Sequence, residues 1–159
     1  MLQADVIQIV LGVPAIFGAG VAFGRKWRKR DMLHEGLAAA SKALLLVRLT
    51  STGINKEIFQ RGDNIEISYE IESAEDIPLG IWLGASVRDS ENKMFNDVTQ
   101  DKLVPISKGS HRYTRVLTIP VRTTVGMNKL NTNIWFGKPG DSSRSIRLHG
   151  MPQKDVRVI

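Results

Sequence analysis

Beyond Ser51 the sequence alternates between apolar and polar residues in short segments. Residues 65–72 show this most clearly, because Ile or Tyr occupies every odd position and Glu or Ser every even one. Successive side chains of a strand point to opposite faces of a sheet, so this pattern is typical of a strand with one buried and one wet face. The alternation predicts that the chain builds its core from sheets.

Similar segments follow, separated by turn residues such as those at 62–64, 89–92 and 137–141. The further predicted strands are residues 81–87, 94–95, 104–106, 112–121, 130–136, 145–148 and 156–159. No long helical pattern follows Ser51, which disfavours a parallel βαβ architecture. The predicted fold class is all-β: an antiparallel immunoglobulin-like β-sandwich over residues 47–159, with a small barrel as the alternative.

One of these segments also supports a resemblance. The run Ile58-Phe59-Gln60-Arg61-Gly62-Asp63-Asn64-Ile65-Glu66-Ile67 resembles the opening of many immunoglobulin-like sandwiches. It is similar to openings in the C-terminal carbohydrate-binding domains of O-antigen ABC transporter ATPases. The turn at 89–93 and the bend at Gly126 are similar in placement. These motifs are structural turns, so the resemblance implies the fold alone and no binding residue or transporter function.

The N-terminal region has a different character. Residues 6–24 contain no charged residue, and Gln8 is their one strongly polar side chain. As a helix this stretch is about 28 Å long, close to the hydrocarbon thickness of a bilayer. It predicts a transmembrane helix, with residues 1–30 forming an anchor in the lipid bilayer. A buried core helix and a cleavable signal peptide are the alternatives, although a signal peptide has its positive charge before the apolar stretch.

A cationic collar follows this stretch, and its predicted membrane-surface residues are Arg25, Lys26, Trp27, Arg28, Lys29 and Arg30. The positive-inside rule places the N-terminus outside and the C-terminal domain in the cytoplasm. The collar also explains most of the net charge of +6. With its five cations set aside, 17 Lys and Arg remain against 16 Asp and Glu. No basic face is left for a nucleic-acid partner.

Small residues recur along the predicted membrane helix. The candidate helix-packing residues are Gly12, Ala15, Ala19, Gly20 and Gly24. Gly20 and Gly24 form a G-x-x-x-G pair, which lets two membrane helices approach closely. This predicts self-association or packing against other membrane subunits; the alternative is that glycine is simply common in membrane helices.

Residues 31–46 predict a connecting helix, because Leu33, Leu37, Ala40 and Leu44 fall on one helical face. The apolar face has three candidate partners, namely the membrane, a neighbouring subunit and the β-sandwich. Periodicity does not choose among them.

No catalytic pattern emerges from the sequence. The three His are far apart, Cys is absent, and there is no nucleophile elbow or phosphate-binding loop. We therefore predict no enzyme activity, no metal and no cofactor. The candidate recognition residues are Trp82, Trp135, Lys138 and Arg144. The two Trp alternate with inward positions, and exposed indoles often anchor partners or stack on sugars; the alternative is that both are core.

Three functions remain open at this point. The preferred hypothesis is a single-pass membrane accessory or assembly subunit whose cytoplasmic sandwich binds a protein partner or its own copies. The first alternative is a membrane-anchored module that binds a glycan or another small ligand. The second is a membrane-disrupting effector that assembles through its Gly-rich helix.

Overall fold

A computed structural model describes residues 28–96, 100–139 and 145–159, with side chains from Gly36 onward. These residues form helix α1, Arg28–Leu46, followed by short and long strands. The strands are β1 Val47–Ile54, β2 Ile58–Phe59, β3 Asn64–Ser73, β4 Ile77–Arg88, β5 Met94–Phe95, β6 Lys102–Ile106, β7 Gly109–Thr118, β8 Gly126–Phe136, β9 Ile146–Gly150 and β10 Lys154–Val158.

The strands are arranged in two sheets that pack as a β-sandwich. The small sheet has the order β1-β3-β7, and the large sheet has the order β2-β10-β8-β4-β5, with β6 paired to β4 and β9 paired to β8. Among the described strands, every pairing is antiparallel except that of β2 with β10, which is parallel. The parallel pairing of β2 with β10 departs from the predicted antiparallel arrangement. The sequence did not predict it, because two residues are too few for an alternation of apolar and polar residues to be recognised.

The core lies between the two sheets. On the small sheet, the odd-numbered residues 65–71 of β3 are at most 1% exposed. On the large sheet, Ile81, Leu83 and Val87 of β4 are fully buried. The inward faces predicted from alternation are therefore confirmed. Each such side chain contributes about 1.5–3 kcal/mol through the apolar surface that it removes from water.

Helix α1 leads directly into β1 and packs against β9. Ala40 and Ala43 are 3% and 0% exposed, and their small side chains let the helix lie close to the sandwich. The helix already includes Arg28, Lys29 and Arg30, which the sequence had assigned to the collar. Arg and Lys are good helix formers, so the helical segment extends into the collar.

The predicted membrane anchor falls largely outside these residues. Within the described part of the chain, no helix is both long and apolar enough to cross a bilayer. Residues 6–24, with all five candidate helix-packing residues, and the collar residues Arg25, Lys26 and Trp27 lie outside the described residues.

Candidate functional site

The outer face of the large sheet has a row of four side chains that crosses β6, β4, β8 and β9. The register pairs Leu103 with Trp82, Trp82 with Trp135, and Trp135 with Arg147. Directly opposed side chains on neighbouring strands have Cβ atoms about 5 Å apart. The two indoles are half-buried, whereas the residues on either side of Trp82 in β4 are fully buried. Both Trp therefore lie side by side on the outer face.

Lys138 lies over one of these indoles. It follows the end of β8, and its Nζ is 5.9 Å from the centroid of the Trp82 ring. A cation at this distance is attracted by the negative face of the ring. The structure thus brings together three of the four candidate recognition residues, and the fourth, Arg144, lies outside the described residues.

A groove of about 800 Å³ borders this row, with Trp135 and Arg147 among its lining residues. Small and amide side chains form its floor: Asn133 of β8 is opposite Gly84 of β4 and Gly150 of β9. The volume lies within the roughly 300–1,000 Å³ that is usual for ligand sites.

Two glycines are required for this floor. A Cβ atom added at Gly84 would lie 2.9 Å from Nε1 of Trp135, and one added at Gly150 would lie 2.6 Å from Oδ1 of Asn133. Both distances are shorter than van der Waals contact. The glycines therefore leave room for the indole and the amide to lie over the neighbouring strands.

The groove also holds hydrogen-bonding groups that are only partly used. Asn131 Oδ1 accepts a hydrogen bond of 2.7 Å from Nε2 of Gln153, and Nη1 of Arg88 donates to Oδ1 of Asn92 at 3.2 Å. Two buried donor atoms, Nδ2 of Asn131 and Nε of Arg88, have no hydrogen-bond partner among the described residues. Both residues line the groove, although these two atoms are themselves buried.

Side chains inside the sandwich support the groove from below. The Tyr69 hydroxyl donates a hydrogen bond of 2.9 Å to the carbonyl oxygen of Gly84. Burial raises the pKa of Tyr69, so the phenol stays protonated and remains a donor. Nearby, Arg115 and Asp101 form an ion pair of 2.6 Å with both side chains 1% exposed. Arg115 Nε also donates to the carbonyl of Gln100 at 3.0 Å, which holds the segment before β6 in place.

Indole, amide and guanidinium groups line the groove, together with Ser86, Asp101 and His149. No group of three metal-ligating side chains occurs in the residues that the structure describes. His149 Nδ1 donates to the carbonyl of Leu49 at 3.0 Å, and His111 Nε2 contacts the carbonyl of Ser107 at 2.9 Å. Both imidazoles therefore have structural partners.

The sequence did not identify Arg88, Asn131, Asn133 or Arg147 as site residues. The two Asn could have been identified from the sequence, because they occupy the same outward-facing alternate positions of β8 as Trp135. No comparable signal existed for Arg147, since the β8–β9 register shifts between Ile134 and Trp135.

No protein-family model and no curated protein sequence matches this chain. Among solved structures, it is similar to the C-terminal domain of wzt, with a TM-score of 0.54 and 12% identity over 71% of this chain and 73% of that one. It is also similar to Spo0M, a sporulation control protein from Bacillus subtilis (TM-score 0.41, 14% identity, 71% of this chain and 49% of that one). A β-glucosidase from Listeria innocua is a third match (TM-score 0.47, 14% identity, 70% and 16%).

The first of these comparisons defines the fold class of the protein. The likeness to the wzt domain shows a shared β-sandwich fold, which confirms the fold-level resemblance drawn from residues 58–67. At such low identity it shows the fold alone.

Proposed function

We propose that this protein is a non-catalytic, glycan-binding β-sandwich, and that the groove beside Trp82 and Trp135 takes a short stretch of saccharide. The observation that supports it is the pair of neighbouring indoles, one of which lines a groove that also holds amide and guanidinium groups.

The match between the groove and a sugar is chemical. A pyranose has an apolar C–H face and a rim of hydroxyl groups. An indole offers a broad apolar surface to the first, and Asn and Arg side chains offer hydrogen bonds to the second. The half-buried Trp135 and the adjacent Asn131 and Asn133 present both kinds of group within one strand.

A glycan array probed with the full chain in detergent micelles tests the proposal. Trp135→Ala and Trp82→Ala are expected to weaken the bound signals by about thirtyfold, or roughly 2 kcal/mol, as for buried aromatic anchors elsewhere. Met127→Ala is the control, because Met127 is also on β8, is 55% exposed and lies outside the groove. An array with no bound glycan, or Trp variants that bind like Met127→Ala, contradicts the proposal.

Membrane anchoring and the accessory-subunit role remain predictions from sequence, since they depend on residues 6–24. Extraction of the full chain with and without detergent, followed by sizing, tests them. A protein that is extracted without detergent and runs as a lone monomer contradicts both. The effector hypothesis predicts toxicity on expression that is lost with Gly20→Leu and Gly24→Leu.

A further inference from the structure

The groove is bordered by three cations, Arg88, Lys138 and Arg147. Arg88 and Arg147 line it, and Lys138 lies over the adjacent Trp82. Elsewhere in the described structure, many cations have an acidic partner, as in the pairs Lys42–Glu75, Lys56–Asp63, Lys93–Glu91, Arg112–Glu70 and Lys129–Asp155. No such pair involves the three groove cations within the described residues.

Among the described residues, the acidic side chains near the groove do not neutralise this charge. Asp101 lines the groove, but its carboxylate is ion-paired with Arg115 and 1% exposed. Asp155 lies further along the sheet and is paired with Lys129. Within the described residues, the groove is therefore a region of positive charge on a sandwich whose Lys and Arg are otherwise nearly balanced by Asp and Glu.

From this distribution we infer that the ligand is an acidic glycan, with a carboxylate, sulfate or phosphate on at least one sugar ring. This inference rests on the proposed glycan-binding function and narrows the class of ligand. A ring that stacks on Trp135 lies one strand from Arg147, its register partner on β9. The Arg147 guanidinium can then bind an anionic substituent of that ring through two parallel hydrogen bonds. Lys138 lies beside Trp82, and Arg88 lies further along the groove. Further anionic substituents of an extended glycan chain would face these two cations.

Matched pairs of acidic and neutral glycans separate this inference from the proposed function. The probes are uronic-acid oligosaccharides and their carboxyl-reduced counterparts, together with sialylated, sulfated and phosphorylated glycans and their unmodified cores, all presented to the full chain in detergent micelles. We expect the acidic member of a pair to bind about tenfold more tightly, because a hydrogen bond to a charged group is worth more than one to a neutral group. Binding of the acidic member is expected to weaken as salt is raised.

Arg147→Gln is the decisive variant. It is expected to lower affinity for the acidic member about tenfold and to leave the neutral member unchanged. Arg157→Gln is the matched control, because Arg157 is exposed on β10 of the same sheet and outside the groove. A Trp135→Ala variant, by contrast, is expected to weaken both members of a pair.

The outcomes are distinct. Equal binding of acidic and neutral members, or an Arg147→Gln variant that behaves like Arg157→Gln, overturns the acidic-ligand inference and leaves the glycan-binding proposal in place. Binding of neither member by a folded protein overturns the proposed function and this inference with it. The response to carboxylated, sulfated and phosphorylated probes identifies which anion the cations accept.

Discussion

The two faces of β4 and β8 use alternate residues of the same strands for opposite purposes. Inward residues such as Leu83 and Ile134 are fully buried and contact the small sheet's core. Outward residues such as Asn131 and Trp135 are half-buried and line a groove, and the half-buried Trp82 is paired with Trp135. The inner face packs into the shared core, whereas the outer face is open along the groove.

Under the proposed function, this difference separates stability, on the inner face, from recognition, on the outer face. A strand with period two assigns its two sets of side chains independently, so the outer set is free to present Trp, Asn and Gly where a solvated sheet usually presents charged residues. Tyr69 connects the core to the groove, because its buried hydroxyl donates a hydrogen bond to the carbonyl oxygen of Gly84.

We expect the largest loss in the free energy of unfolding from a substitution at the buried ion pair of Arg115 and Asp101. Arg115→Met leaves the Asp101 carboxylate buried without this cation, and a loss of about 3–5 kcal/mol in the free energy of unfolding is expected. Urea denaturation measures it, with the exposed Arg157→Met as the control at about 0.5 kcal/mol or less. Adding Asp101→Leu to Arg115→Met should recover part of the loss. A loss under about 1 kcal/mol for Arg115→Met would show that water reaches the pair.

Two leucines on opposite faces compare the sheet surfaces directly. Leu83→Ala removes a fully buried side chain and should cost about 2–5 kcal/mol. Leu103→Ala, at a position that is 50% exposed on the outer face, should cost less than about 1 kcal/mol. Similar costs in thermal or urea unfolding would contradict the assignment of inner and outer faces.

Gly84→Ala tests how closely the groove is packed. The added methyl group collides with the Trp135 indole, so we expect a loss of about 1–3 kcal/mol in stability and weaker glycan binding. Gly36→Ala is the matched control: nothing lies within 4 Å of its Cβ position in α1, and Ala there should stabilise by about 0.5–1 kcal/mol. A Gly84→Ala protein with unchanged stability and binding would show that the indole does not need this space.

The smallest expected effect is on the pH dependence of stability and comes from Asp89. This residue lies in the β4–β5 turn and is 5% exposed. Burial by itself raises the pKa of this carboxyl, but hydrogen bonds from the Lys93 and Glu91 amides and from Thr124 outweigh burial, and the net result is a lowered pKa. Its contribution to stability is therefore present above the ordinary pKa near 3.8 and is lost as pH falls through the lower folded value.

Asp89→Asn should accordingly flatten the acid limb of the curve of unfolding free energy against pH, below about pH 4. Ser90→Ala in the same turn is the control and should leave that limb unchanged. An Asp89→Asn curve that keeps the full acid limb would place the titration on another group.

The sequence predicted the strands with clear alternation and the outward side of both Trp, because period two is a local property. It did not predict that Trp82 and Trp135 are neighbours, since register between β4 and β8 depends on how distant segments pair. The inward position of Arg115 could have been predicted, because Arg115 lies on the same face of β7 as the buried Leu117. A buried Arg implies a buried acidic partner. That partner, Asp101, lies in a segment without periodicity.

The proposed glycan-binding groove is tested most directly by the indole N–H resonances of the ¹⁵N-labelled full chain, which has three Trp. The titrant is the acidic glycan with the strongest array signal. The resonances of Trp82 and Trp135, assigned with single Trp→Phe variants, should shift together along one saturating curve while that of Trp27 stays in place. If neither groove resonance moves, or if Trp27 alone responds, the outer face of the large sheet is not the binding site.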